Sequence, residues 1–223
     1  MAQDLNRKLV VEGLLKVEKS GFSNLVLPSL LSDTRLSNQD KAFISNLFYG
    51  TIERKITLNY ILGRFISKPL KKLDKEVVAI MQSGLYQILY MNSVPSFAAI
   101  NQAVGLCSSF KKTSAKGLVN AVLRKAADFD LNTAKFSSET EKMSVLYSIS
   151  EEIVGIVMGD YPDTYEDILK GMLINPPLTI NINTTKISVG DYVSALDNAG
   201  VKYSTTALPN CLEISSGGAV TDL

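Results

Sequence analysis

The chain has 223 residues, 46% hydrophobic and 20% charged, with a formal net charge of +1, the composition of a globular chain large enough to bury a core. It has no His, no Trp and two Cys, which excludes His-based acid–base chemistry, His metal ligation, a disulfide framework and a paired-Cys metal knuckle. No apolar run approaches the ~20 residues needed to span a bilayer, and the opening Met1-Ala2-Gln3-Asp4-Leu5-Asn6-Arg7 lacks the apolar core of a signal peptide, so a reduced, cytoplasmic protein with no membrane and no metal partner is expected. The small net charge conceals a split. Residues 1–130 carry 18 Lys+Arg against 10 Asp+Glu, whereas residues 131–223 carry 5 against 12. That asymmetry argues for two units with different surfaces, the first suited to a polyanion.

In chain order, Asp4 is placed to cap a helix to about Lys19, with Leu5, Leu9, Leu14 and Val17 inward and Gly21 as its stop. A short apolar segment follows over Leu25 to Leu31. Ser37-Asn38-Gln39-Asp40 reads as a capping box with Asp in place of Glu, ahead of Phe43, Ile44, Leu47 and Phe48 at helical spacing. Gly50 is expected to interrupt, and Ile56 to Ile66 to be helical again until Ser67-Lys68-Pro69.

The organising stretch runs from Val77 to Arg124. Val77, Val78, Met81, Leu85, Ile88 and Leu89 lay an apolar stripe along one helix. Gly84 within it costs about 1 kcal/mol against Ala, the mark of a close crossing by another helix. Pro95 ends that helix, Ser96 is placed to cap the next, and Phe97, Ile100, Val104 and Cys107 should face inward. After a polar break over Lys111 to Lys116, Leu118, Val122 and Leu123 rebuild an apolar face. Six or seven helices and no strand are expected before Asp130.

From Asp128 to Glu141 the sequence turns polar and aperiodic. Ser148-x-x-Glu151 should open a helix carrying Ile153, Val154 and Val157 inward, and Asp163-x-x-Glu166 another carrying Ile168, Leu169, Met172 and Leu173. The period then changes to two: Leu178, Ile180 and Ile182 alternate with polar residues as a half-buried strand. A helix capped by Ser188 and closed by Gly200, a strand over Val201 to Thr206, a turn at Pro209-Asn210 and a strand over Leu212 to Ser215 complete a small α/β unit, broken by Ser216-Gly217-Gly218.

No phosphate-binding loop, dinucleotide fingerprint or zinc motif is present. Cys107 lies on an apolar helix face and reads as a buried small hydrophobe, and Cys211 has no base near it in sequence. Glu151-Glu152 and Glu166-Asp167 fall in first helical turns, where the helix dipole favours them. The basic residues are the stronger lead for RNA binding: Arg7 and Lys8 at the first helix, Arg54 and Lys55 after the third, Lys111, Lys112 and Lys116 around a loop, and Arg124 and Lys125 beside Asn120 on the last helix of the bundle. As helix-end cations, Arg54, Lys55, Arg124 and Lys125 also have a purely structural explanation.

Leu36 to Lys55, Ser83 to Cys107 and Lys116 to Lys125, three blocks in order, resemble the amino-terminal part of bacterial Sun/RsmB-type ribosomal RNA cytosine-C5 methyltransferases. Asn175-Pro176-Pro177-Leu178-Thr179 with Asn183 resembles the same family's segment before its catalytic domain. The resemblance implies a mainly α chain: an all-helical bundle similar to the antitermination factor NusB over residues 1–130, a linker over 131–147, and a small RNA-recognition-like α/β subdomain over 148–223. Asn181 stands where the family usually has Arg, and Ser150-Glu151-Glu152 where it has P-x-W. The family's catalytic domain, with its S-adenosylmethionine pocket and two catalytic cysteines, is expected after about residue 223, and neither Cys here matches a catalytic motif. In the family a cysteine thiolate attacks C6 of the cytosine and makes C5 nucleophilic. This chain is therefore expected to hold small-subunit ribosomal RNA, with no catalytic residue and no cofactor of its own. A stand-alone NusB-like factor and a helical protein-interaction module are the alternatives.

Overall fold

A computed structural model describes residues 5–174 and 176–216, and seven α-helices precede Asp130: α1 (Leu5–Ser20), α2 (Ser23–Leu31), α3 (Asn38–Glu53), α4 (Lys55–Gly63), α5 (Lys75–Tyr90), α6 (Ser96–Ser109) and α7 (Lys116–Ala127). No strand occurs there among the described residues. The capping box opens α3 as expected: the Asp40 N–H donates to Ser37 Oγ at 3.1 Å and the Ser37 N–H to Asp40 Oδ2 at 3.0 Å. Gly21 closes α1 at φ +83°. Asp4, Gly217 and Gly218 lie outside the described residues.

Helix α5 is the axis of the bundle, with α1, α3, α4, α6 and α7 packed around it. Its burial exceeds a stripe: every residue from Ala79 to Gln87 is buried, as befits a helix enclosed on all sides. The polar residues in that run have partners, as buried polar groups must. Gln82 Nε2 donates to Asn59 Oδ1 at 2.7 Å, Ser83 Oγ to the Ile80 carbonyl at 3.2 Å, and Gln87 Nε2 to the Ser83 carbonyl at 2.9 Å. Gly84 does mark a crossing, since a Cβ there would lie 3.0 Å from Leu123 Cδ1 and 3.2 Å from Ala103 Cβ.

Several local expectations are corrected. Gly50 does not interrupt α3; it is bare because the Tyr86 ring occupies the space a side chain would take, with Cζ 2.0 Å from a Cβ built there. Ser96 is the first residue of α6 rather than its cap, and Phe97 is 70% exposed while Ala99 and Ala103 turn inward. Leu5, Leu25 and Leu118 are also exposed, and Val10 and Val11 take the inward positions of α1.

The stretch 131–147 is no free connection. It contains α8 (Glu139–Tyr147), capped by Ser138 and docked on α4. Thr57 Oγ1 donates to the Val145 carbonyl at 2.6 Å, the Ile56 N–H donates to Ser148 Oγ at 3.1 Å, and Phe136 stacks on Tyr60 with ring centroids 5.2 Å apart. Ser148 therefore ends α8, at φ +56°, and Ser150 caps α9 (Glu151–Asp160). With α10 (Tyr165–Gly171) these helices bury Met143, Val154, Val157 and Leu169. Ile153 and Ile156 of α9, and Met172, are exposed. The compact units divide after Gly171, and these tertiary bonds tie α8 to the first of them.

The second unit comprises β1 (Leu178–Asn181), α11 (Val189–Asn198), β2 (Lys202–Thr205) and β3 (Cys211–Ser216). Its sheet is antiparallel in the order β1-β3-β2, with Ile180 opposite Leu212 and Tyr203 opposite Ile214. Ser188 caps α11, accepting from the Asp191 N–H at 3.1 Å, and Gly200 ends it at φ +67°. Ile182, Leu196, Val201 and Leu212 form the core. Among the described residues no helix is long and apolar enough to cross a membrane.

Candidate nucleic-acid interface

The basic residues singled out by sequence do not form one patch. Arg7 and Arg54 meet the C-terminal end of α5. Arg7 Nε donates to Gln87 Oε1 at 2.6 Å while its guanidinium lies 4.9 Å from the Phe43 ring centroid. Arg54, at the α3–α4 junction, lies 5.1 Å over the ring of Tyr90, three residues beyond Gln87. Both are half-buried, and both join helices by cation–π contact. Tyr90 leans on Tyr86 at 5.2 Å, and the Tyr86 hydroxyl donates to Asn46 Oδ1 at 3.2 Å. Burial pushes both phenols up, against the opposing pull of Arg54.

Lys112 sits at the other end of α5, 2.9 Å from Asp74 and 3.5 Å from Glu76. Its hydrogen bond to Asp74 raises its pKa; it stays charged, but two carboxylates already answer that charge. Asp74 and Gln87 are separated by about 20 Å of helix, so Lys112 does not join the arginines. Among the described residues Lys8 pairs with Glu12, i,i+4, at 3.8 Å, a contact of little energetic weight.

Helix α7 gathers the rest. Lys116, Asn120 and Arg124 follow at intervals of four on one ridge, with Val119, Val122, Leu123 and Ala126 buried behind them. Arg124 Nε donates to Asn120 Oδ1 at 3.2 Å, which leaves the Asn120 amide N–H groups as donors. Arg124 and Lys125 are exposed in the last turn, and Lys111 is exposed at the entry to α7 with φ +57°. Cys107 is fully buried and its thiol is pushed up by burial, opposed by Lys116, so it is a core residue.

Sequence reading passes over Lys71 and Lys75. With Lys55 they line a recess of about 350 Å³ between α1, α4, the turn at Leu70–Lys72 and α5. The signal was the Lys71-Lys72 pair after Pro69, but only the tertiary fold brings it to Lys55. In the small unit, the register places Thr179, Asn181, Ser204 and Glu213 on the sheet face away from the core. None of these carries an aromatic ring on which a base could stack. Among the described residues no three His, Cys, Asp or Glu side chains gather as metal ligands.

Two family matches cover successive parts of the chain. Residues 4–128 match the NusB family, and residues 153–221 match the ferredoxin-like domain of RsmF/B-like methyltransferases. Ribosomal RNA small subunit methyltransferase B of Proteus mirabilis is 27% identical over 213 residues, covering 94% of this chain and 49% of the relative. The probable enzyme of the same name from Bacillus subtilis is 28% identical over 88% of this chain and 44% of its own length, and that of Coxiella burnetii 31% over 78% and 39%. The chain thus spans less than half the length of these relatives. The crystal structure of PH0851 shares the fold, with a TM-score of 0.65 at 14% identity over 98% of this chain and 50% of that one. The chain belongs to the NusB family, and its NusB-type domain leads into the start of an RsmF/B-type methyltransferase region.

Proposed function

We propose that the chain is the RNA-binding amino-terminal portion of an S-adenosylmethionine-dependent ribosomal RNA cytosine-C5 methyltransferase, acting in the cytoplasm. It holds small-subunit ribosomal RNA for a catalytic domain outside this sequence. The observation that carries the reading is the order of the two matched domains, found along relatives named small subunit methyltransferase B. A NusB-type factor acting alone would have no use for the ferredoxin-like region that follows. Holding the target nucleotide beside the reacting groups supplies effective concentration, a large share of any bimolecular barrier.

Helix α7 is the center of the proposed interface, with Lys116, Asn120, Arg124 and Lys125 presented on a rigid scaffold. Arg7 and Arg54 stiffen the bundle at the C-terminal end of α5. S-adenosylmethionine does not fit the described recess: its sulfonium would bring a positive charge to Lys55 and Lys71, while the Glu18 carboxylate there is already paired with Lys75. No methyl-transfer step is assigned to these residues.

The test is binding of small-subunit ribosomal RNA fragments at 50 and 200 mM salt. Contact with about six phosphates weakens affinity roughly a thousandfold across that interval. Arg124→Ala with Lys125→Ala should weaken binding and flatten the salt dependence while leaving the melting temperature in place. Salt-insensitive or undetectable binding would instead favor a protein-interaction module.

A further inference from the structure

We propose that the recess between α1, α4 and α5 binds one phosphorylated nucleotide, its phosphate between Lys55 and Lys71 and its ribose or base against Leu70, Leu73 and Val78. That an RNA strand supplies this nucleotide rests on the reading above; the recess itself does not.

Charge carries the argument first. Of the three lysines that line the recess, Lys75 is paired with Glu18 at 3.1 Å. Lys55 and Lys71 are exposed and have no carboxylate partner among the described residues. Two unanswered cations on a concave wall focus the field on whatever anion enters. Shape and chemistry narrow the ligand. About 350 Å³ of space is far more than one phosphate needs and lies in the range of small-molecule sites. The Asn59–Gln82 amide pair sits at the wall, and because Asn59 Oδ1 accepts from Gln82, the Asn59 NH₂ remains a donor. Behind the recess a smaller void of about 50 Å³ shares Glu18, Lys55 and Gln82 and is walled by Leu14, Val17, Ile52 and Ala79. A site lined by cations and amide donors together with aliphatic side chains suits a group that is ionic at one end and flat and weakly polar at the other.

The experiment uses the full chain, with cytidine 5′-monophosphate and a ribosomal RNA fragment as separate probes. In amide NMR titrations at low salt, the mononucleotide should move the signals of Lys55, Asn59, Lys71 and Gln82. Lys55→Ala with Lys71→Ala, both solvent-exposed positions, should abolish those shifts and lower RNA affinity about tenfold, reducing the salt slope by about one phosphate. If the mononucleotide moves the recess but the wild-type chain binds no RNA, the recess stands with a free nucleotide as its ligand and the RNA reading falls. If RNA binding is unchanged in the double variant and the mononucleotide shifts lie elsewhere, the recess falls and the RNA reading survives.

Discussion

The helical unit and the small sheet unit are built to different depths. Around α5, the side chains of Ile44, Phe48, Leu58, Ile61, Met81 and Leu123 are all fully buried, because helices on every side cover one another. In the sheet unit one helix covers one face, and of its four core residues only Leu196 is completely enclosed. Burial of apolar surface is the dominant favorable term in folding, so the bundle can bear strain and close crossings that the small unit cannot. Small domains bury a lower share of their surface and are correspondingly marginal.

The largest expected effect tests the deep core. Phe48→Ala should cost about 3–5 kcal/mol in the helical transition, read by denaturant unfolding followed at helical signals. Leu196→Ala removes a side chain worth about 2–5 kcal/mol by the same rule, but from a unit with less to lose. Amide exchange should then show protection lost across residues 178–216 and retained in α5, and a uniform loss in both units would break the comparison. Gly50→Ala is smaller, at about 1–3 kcal/mol of overpacking, because its methyl would meet the Tyr86 ring. In a Tyr86→Ala background the same change should cost much less, and equal costs in the two backgrounds would remove the ring as the cause.

The smallest effects are ionic and lie on the bundle's surface. The Arg35 guanidinium holds the Asp33 carboxyl at about 2, and the Ser37 hydroxyl, with Asn6 and the Ser37 N–H, lowers that of Asp40. A lowered folded-state pKa means that the contribution is present above the unfolded carboxylate's range and is lost as pH falls through the folded value. NMR titration should therefore place both midpoints below ordinary aspartate. Ser37→Ala should raise that of Asp40 and leave that of Asp33 unmoved.

Local signals were legible in the sequence wherever their cause was local. Ser37 and Ser188 cap their helices because the accepting hydroxyl and the donating N–H lie three residues apart. Gly84 was readable because its position within an apolar stripe already implied a neighbor. Gly50 was not, since the ring that excludes its side chain comes from Tyr86 in another helix. Phe97 was assigned inward because it is apolar and correctly spaced, yet the close approach at Gly84 suits the small Ala103 instead. The segment before Ser148 looked like a tether because α8 buries only Met143, Ser144 and Val145, too few to set a period. The candidate site fared similarly: the α7 ridge follows from helical spacing, whereas Lys55 reaches Lys71 and Lys75 only once α4 is packed on α5.

The docking of α8 on α4 has an electrical consequence. Residues 131–171 carry 8 acidic and 3 basic side chains, and the Thr57 and Ile56 hydrogen bonds clamp them to the cationic helices within one unit. Opposite signs are thereby locked in fixed register on a single body. If the chain meets RNA as proposed, the acidic segment held on that body would be repelled as the lysines and arginines are drawn in, giving a torque as well as a pull.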